Sequence, residues 1–175
     1  MKRFLFLILI VSFNISASDE GIQQWVYNTL ERAQANLDKG NIEAAEKIYY
    51  DYANDTWSSR SYDHFVFLRT YAYFLLSYDR NEEALRYLKQ ASLKRDMPPY
   101  DIFELHFTLG QVYYVTGDRE NAKKTLLKWV EIGEKNKLDL KPEGYAILAT
   151  IYAQDEEWGN ALKFITLAID NSYRF

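Results

Sequence analysis

Two sets of small residues recur along this chain at one spacing. Ala45, Ala84, Ala122 and Ala161 lie 39, 38 and 39 residues apart, and Ala33, Ala72, Gly110 and Ala149 repeat the same intervals. A shared period of this size constrains the fold more than any single motif, because it means that one supersecondary unit is used several times. Members of the two sets are 12 positions apart in every copy. That places them on two antiparallel helices joined by a tight turn, where small side chains let the backbones approach. The turns read Lys39-Gly40-Asn41, Tyr78-Asp79-Arg80-Asn81, Thr116-Gly117-Asp118 and Gln154-Asp155-Glu156. Glycine supplies positive φ after a helix, and Asn or Asp caps the next one.

Apolar residues follow helical spacing within each copy. Leu109, Tyr113, Leu126 and Trp129 fall on inward faces of the third, and Leu148, Tyr152, Ile165 and Ala168 are their equivalents in the fourth. This is similar to the tetratricopeptide (TPR) pattern of two helices per repeat, with a few extra residues between repeats. The expected fold is all-α: a right-handed superhelical solenoid of about four repeats, near 26–59, 65–98, 103–136 and 142–175. Its eight helices are expected near 22–38, 41–54, 62–77, 81–94, 100–115, 119–134, 142–153 and 158–170. Arg32 and Asn36 stand at usually apolar positions of the first repeat, as suits a terminal unit whose outer side faces water. Pro98-Pro99 and Pro142 fall between repeats, where a missing amide hydrogen does no damage. At the other end, Phe175 closes the fourth repeat with no polar helix after it. The favoured reading is a chain cut from a longer protein. Self-association through the uncapped C-terminal repeat, and a fold-back of Ser172 to Phe175, stay open.

Residues 1–17 differ from the rest. Lys2 and Arg3 precede a run from Phe4 to Phe13 that is apolar apart from Ser12, and Ile15-Ser16-Ala17 offers small residues for cleavage before Ser18. This reads as a secretory signal peptide, since the run is far shorter than the roughly 20 residues that span a bilayer. Residues 18–175 then form the mature TPR domain, with no stable membrane insertion expected. There is no cysteine, which excludes a lipidated cysteine anchor and disulfides, so the core alone must hold the fold. Loss of Lys2 and Arg3 takes the basic count from 21 to 19 against 25 acidic residues, a net charge of −6. Nucleic acid and anionic membrane surfaces are poor partners for such a chain.

Candidates for chemistry are few. Two histidines and no cysteine remove the commonest nucleophile, metal and acid–base constellations. His106 reads as a packing residue of the third repeat and His64 as a surface group. Glu82-Glu83, Asp118 with Glu120, and Glu156-Glu157 cluster at helix starts, where negative charge is favourable without any catalytic role. Asp51 and Asp55 are spaced to meet a cation at a helix end but read as a solvated pair, and Asn54-Asp55-Thr56 is a weak glycosylation sequon. Neither a phosphate loop nor a nucleophile elbow is present. No catalytic residue, metal ligand or cofactor is therefore expected, and the chain is not expected to be an enzyme.

A binding surface is the better expectation. In stacked helical pairs the first helix of each repeat lines the concave wall. The wall positions include Tyr27, Gln34, Arg69, Tyr73, Phe107, Gln111 and Tyr114. Rings supply buried area, while Arg69, Gln34 and Gln111 pair with backbone or polar groups of an extended peptide or helix. Leu30, Gln34, Thr70, Glu104 and Thr108 occupy the places where chaperone-binding TPRs use Lys and Asn to grip a terminal carboxylate, which disfavours that partner class.

Val26-Tyr27-Asn28-Thr29-Leu30-Glu31-Arg32-Ala33-Gln34, Phe107-Thr108-Leu109-Gly110-Gln111-Val112-Tyr113 with Gly117, and Leu126-Leu127-Lys128-Trp129 resemble exported bacterial TPR proteins encoded beside TonB, ExbB and ExbD. Members of that group are about twice as long. The resemblance implies a periplasmic adaptor that binds a protein of the cell envelope during iron or haem uptake, and it carries over no catalytic residue. A scaffold for outer-membrane or cell-wall assembly, or a helical accessory domain of an envelope enzyme, are the alternative expectations.

Overall fold

The computed structural model describes residues 21–55 and 61–172. The leader read over residues 1–17, Thr56 of the sequon and the fold-back beyond Ser172 lie outside the described residues. Among those described there are eight helices and no strand: α1 (Gln24–Asp38), α2 (Ile42–Asn54), α3 (Ser61–Ser77), α4 (Asn81–Ser92), α5 (Pro99–Val115), α6 (Arg119–Asn136), α7 (Pro142–Gln154) and α8 (Trp158–Ser172). Every boundary falls within two residues of the expected one. Pro99 and Pro142 open α5 and α7, a place where their missing donor would have no intrahelical partner.

The period reappears in backbone geometry. Gly40, Asp79, Gly117 and Glu156 all have φ between 58° and 86° and stand 39, 38 and 39 residues apart. Each left-handed residue is followed by an amide that reaches back five residues: Asn41 to Asn36 (2.8 Å), Arg80 to Leu75 (3.0 Å), Asp118 to Tyr113 (2.9 Å) and Glu157 to Tyr152 (2.8 Å). These are the long hydrogen bonds of the Schellman motif, which satisfy carbonyls orphaned at a helix end. One turn geometry thus serves all four repeats, although glycine occupies it only twice. Capping differs from expectation. Asp118 accepts from the Asn121 amide at 3.1 Å, whereas Asn41 makes no side-chain cap bond.

Helices pack mainly on their neighbours in sequence, and α5 also touches α7. Both sets of small residues are buried. A Cβ added to Gly110 would stand 2.6 Å from Leu126 Cγ, so the absence of a side chain sets how near α5 and α6 approach. Two apolar clusters form the core, one centred on α1 to α5 and one on α5 to α8. In the second, fully buried Trp129 has Phe107, Phe103 and Tyr145 around it with ring centroids at 5.2, 5.6 and 5.6 Å. Its Nε1 finds no hydrogen-bond partner among the described residues. The expected inward residues Leu109, Tyr113, Leu126, Leu148, Tyr152 and Ala168 are buried, but Ile165 is exposed. It holds the register position of Leu126, and no described helix lies beyond α8 to cover it.

Candidate functional site

The first helices of successive repeats are joined by polar contacts. Asp101, near the start of α5, accepts from the Arg69 guanidinium on one carboxylate oxygen and from the Tyr62 hydroxyl on the other, the latter at 2.9 Å. Arg69 also lies over the Phe65 ring, 5.2 Å from its centroid. One turn further along α3, Tyr73 Oη shares a hydrogen bond with Thr108 Oγ1 of α5 at 3.3 Å. Between the third and fourth repeats, Lys141 Nζ donates to Glu104 at 2.8 Å and stands 4.6 Å from the centre of the Phe107 ring. The wall is therefore locked repeat to repeat by its own charges.

Burial and these partners set the electrostatics. Desolvation, helped by the Asp101 carboxylate, pushes the Tyr62 phenol up to about 12. Burial likewise raises Tyr73, against a smaller opposing effect of the Arg69 charge. Each ring stays a neutral donor through the physiological range.

The expected wall residues divide into three groups. Tyr73, Gln111 and Tyr114 are half-buried on α3 and α5. Tyr27 and Gln34 are exposed on α1, where Gln34 Nε2 donates to Asp38 at 2.8 Å. Two expectations are corrected. Phe107 is 3% exposed and packed against Trp129 of α6, within the apolar cluster it shares with Tyr145 and Leu148 of α7, so the ring belongs to the core. Arg69 is satisfied within the protein by Asp101, so it positions the wall instead of reaching for a ligand.

Asp63 and Asp101 went unremarked in the sequence, yet both are buried. Asp63 accepts from the Gln23 amide at 3.3 Å. They stand 38 residues apart, two positions before the starts of the second and third repeats. An acid recurring in register at the head of an apolar helix was the available signal.

His106 is half-buried, as expected, and its Nδ1 donates to the Ile102 carbonyl at 2.8 Å. Burial holds its imidazole below the usual histidine range. His64 is half-buried too, contrary to the surface reading. Its Nε2 donates to the Ala53 carbonyl at 3.0 Å and its Nδ1 accepts from Lys94 at 2.8 Å, tying the end of α2 to the segment that follows α4. Asp51 pairs with Lys47 at 2.8 Å. Among the described residues no group of three or more His, Cys, Asp or Glu is placed to hold a metal, and no helix is long and apolar enough to cross a membrane.

No protein-family model matches this chain, and no curated protein does either. Solved structures do match. The crystal structure of MamA superposes with a TM-score of 0.64 at 17% identity, over 85% of this chain and 79% of that one. A putative kinesin light chain from Podospora anserina with nearly identical TPR-like repeats gives 0.60 at 17% identity, over 85% and 75%. Apo RapI gives 0.59 at 18%, covering 86% of this chain and 41% of that one. At such identities the likeness is one of fold. The chain is an all-α solenoid of the TPR-repeat kind.

Proposed function

We propose that this chain is an exported, periplasmic TPR adaptor that holds a protein or peptide of the cell envelope along its first-helix wall. The partner we assign to it is a component of a TonB-type energy-transduction system for iron or haem uptake. Binding of a protein partner is what TPR-like neighbours support. The observation that carries the reading is the wall itself. Tyr73, Gln111 and Tyr114 offer rings and an amide on a face already fixed by the Arg69–Asp101–Tyr62 contacts. A face rigid before binding loses little side-chain entropy when a partner arrives. Aromatic anchors with amides beside them suit a peptide whose backbone needs donors and acceptors. The export part of the proposal is supported by Lys2-Arg3, the apolar run Phe4 to Phe13 and Ile15-Ser16-Ala17. The TonB part is supported by the resemblance of the first and third repeats. The fourth repeat supplies a second surface, and to it we assign self-association.

The test is crosslinking capture from the native envelope, comparing wild type with a Gln111→Arg, Tyr114→Ala variant. Phe107 is left alone because its truncation would damage the core. Circular dichroism first establishes that both chains fold. Capture of TonB or ExbD components by wild type and their loss from the folded variant are expected. Capture of other envelope proteins alone would remove the TonB assignment and leave the wall standing. Equal capture by both chains would remove the wall.

A further inference from the structure

We propose that two copies of this chain join through α8, the helices lying antiparallel about a two-fold axis. This deepens the self-association assigned above and does not depend on the wall or its partner.

Along α8, Trp158 is 66% exposed, Leu162 68%, Ile165 41% and Ile169 49%. Spacings of four, three and four put them on one helix face. The same register positions on α6 are Arg119, Lys123, Leu126 and Val130, and there the following repeat contacts the face while Arg119 stays exposed. Arg119 donates to Gln154 at 3.2 Å, Lys123 pairs with Asp155 and Glu157, and Leu126 is fully buried. The α8 face is thus the continuation of an interface the chain already uses. It differs in chemistry, because apolar side chains replace both cations. Whatever covers it brings apolar surface and no acids.

Stacking head to tail would set α1 of a second copy there. α1 does not fit. The α7 residues that meet α6, Gly144 against Trp129 and Tyr152 beneath Lys123, correspond on α1 to Asn28 and Asn36. Those polar groups would lose water with no partner on α8. A self-complementary arrangement avoids this, since a two-fold contact uses one surface twice. The four-three-four spacing reads the same in both directions. Antiparallel helices therefore set Trp158 against Ile169 of the second copy and Leu162 against Ile165. Within α8 the charges are Lys163 and Asp170, net zero.

A contact of one helix face from each copy lies at the small end of specific interfaces, and a Kd of micromolar order is expected. Sedimentation equilibrium of the purified chain, in whatever processed form the cell yields, should show twice the monomer mass at high micromolar concentration. Leu162→Glu changes an exposed side chain, leaves the helical spectrum intact and should weaken association at least about tenfold. The Gln111→Arg, Tyr114→Ala variant should associate like wild type. With no native cysteine, oxidation of a mixture of Leu162→Cys and Ile165→Cys chains should give mainly the mixed disulfide. A wild-type chain that stays monomeric overturns the proposal and leaves the face to another kind of partner. A dimer that survives Leu162→Glu overturns it as well. Like-with-like disulfides at residue 162 in preference to the mixed product overturn the antiparallel geometry.

Discussion

Gly144 and Trp129 together test how the third repeat is joined to the fourth. A Cβ on Gly144 would stand 2.4 Å from Trp129 Cζ3 and 2.6 Å from Cη2, about 1 Å inside ordinary carbon–carbon contact. The indole cannot retreat, because it is fully buried and has Phe103, Phe107 and Tyr145 around it. Overpacking of this kind costs about 1–3 kcal/mol. Replacing glycine in a helix returns at most about 1 kcal/mol, and less here, since Gly144 lies in the first turn of α7. Gly144→Ala should therefore destabilise by roughly 1–2 kcal/mol. Phenylalanine at 129 lacks the two atoms that clash. It also lacks the Nε1 donor that is buried without a partner, and leaving such a group unsatisfied costs about 1–3 kcal/mol. In a Trp129→Phe background Gly144→Ala should be neutral or stabilising, so its penalty disappears or changes sign. Urea unfolding of the four chains, followed by circular dichroism at 222 nm, measures the cycle. The same sign and size of effect in both backgrounds would refute a packing role for this pair.

Asp101→Asn removes the charge opposite Arg69, whose side chain is 19% exposed, and should cost about 3 kcal/mol in chemical denaturation. The paired replacement Arg69→Met with Asp101→Leu should cost less than Asp101→Asn alone, because no buried charge is left over. Burial lowers the folded-state titration of His106. Its contribution is present above the unfolded value of about 6.5 and is lost as pH falls from there through the folded value, so stability should decline on acidification with a slope that His106→Gln flattens. The imidazole resonances should titrate below the usual range in NMR. Gly117 has φ 86°, and Gly117→Ala should cost about 1 kcal/mol and lower Tm by about 2–4 °C. Glu156→Gly, at the equivalent turn with φ 59°, should shift Tm by less and upwards.

The period and the turns are legible in the sequence because they are local and repeated. Small residues at fixed offsets, punctuated by Gly, Asp and Asn, specify where two helices must touch and where the chain reverses. Four copies of that signal leave little freedom in the boundaries. Asp79 and Glu156 show its limit, since the second and fourth turns take the left-handed geometry without the glycine that advertises it. Their conformation is imposed by the two helices they join.

Helical register, counted along the chain, groups Tyr73, Gln111 and Tyr114 on the first helices of their repeats, and all three are half-buried on α3 and α5. It could not say that Phe107 is core and Arg69 is occupied. Those outcomes depend on Trp129 of α6 packing against Phe107 and on Asp101 arriving beside Arg69 from a helix some 30 residues away. Ile165 and Leu126 make the same point from the other side: both are aliphatic and share one register position, yet Leu126 is fully buried and Ile165 is 41% exposed. By itself, then, the sequence determined the repeat, the helices and the small residues between them, since each depends on neighbours a turn or a hairpin away. The tertiary structure alone decided which apolar faces are covered, which charges are paired and which side chains remain free to meet a partner. Burial is a property of what the rest of the chain brings alongside, and residue type does not contain it.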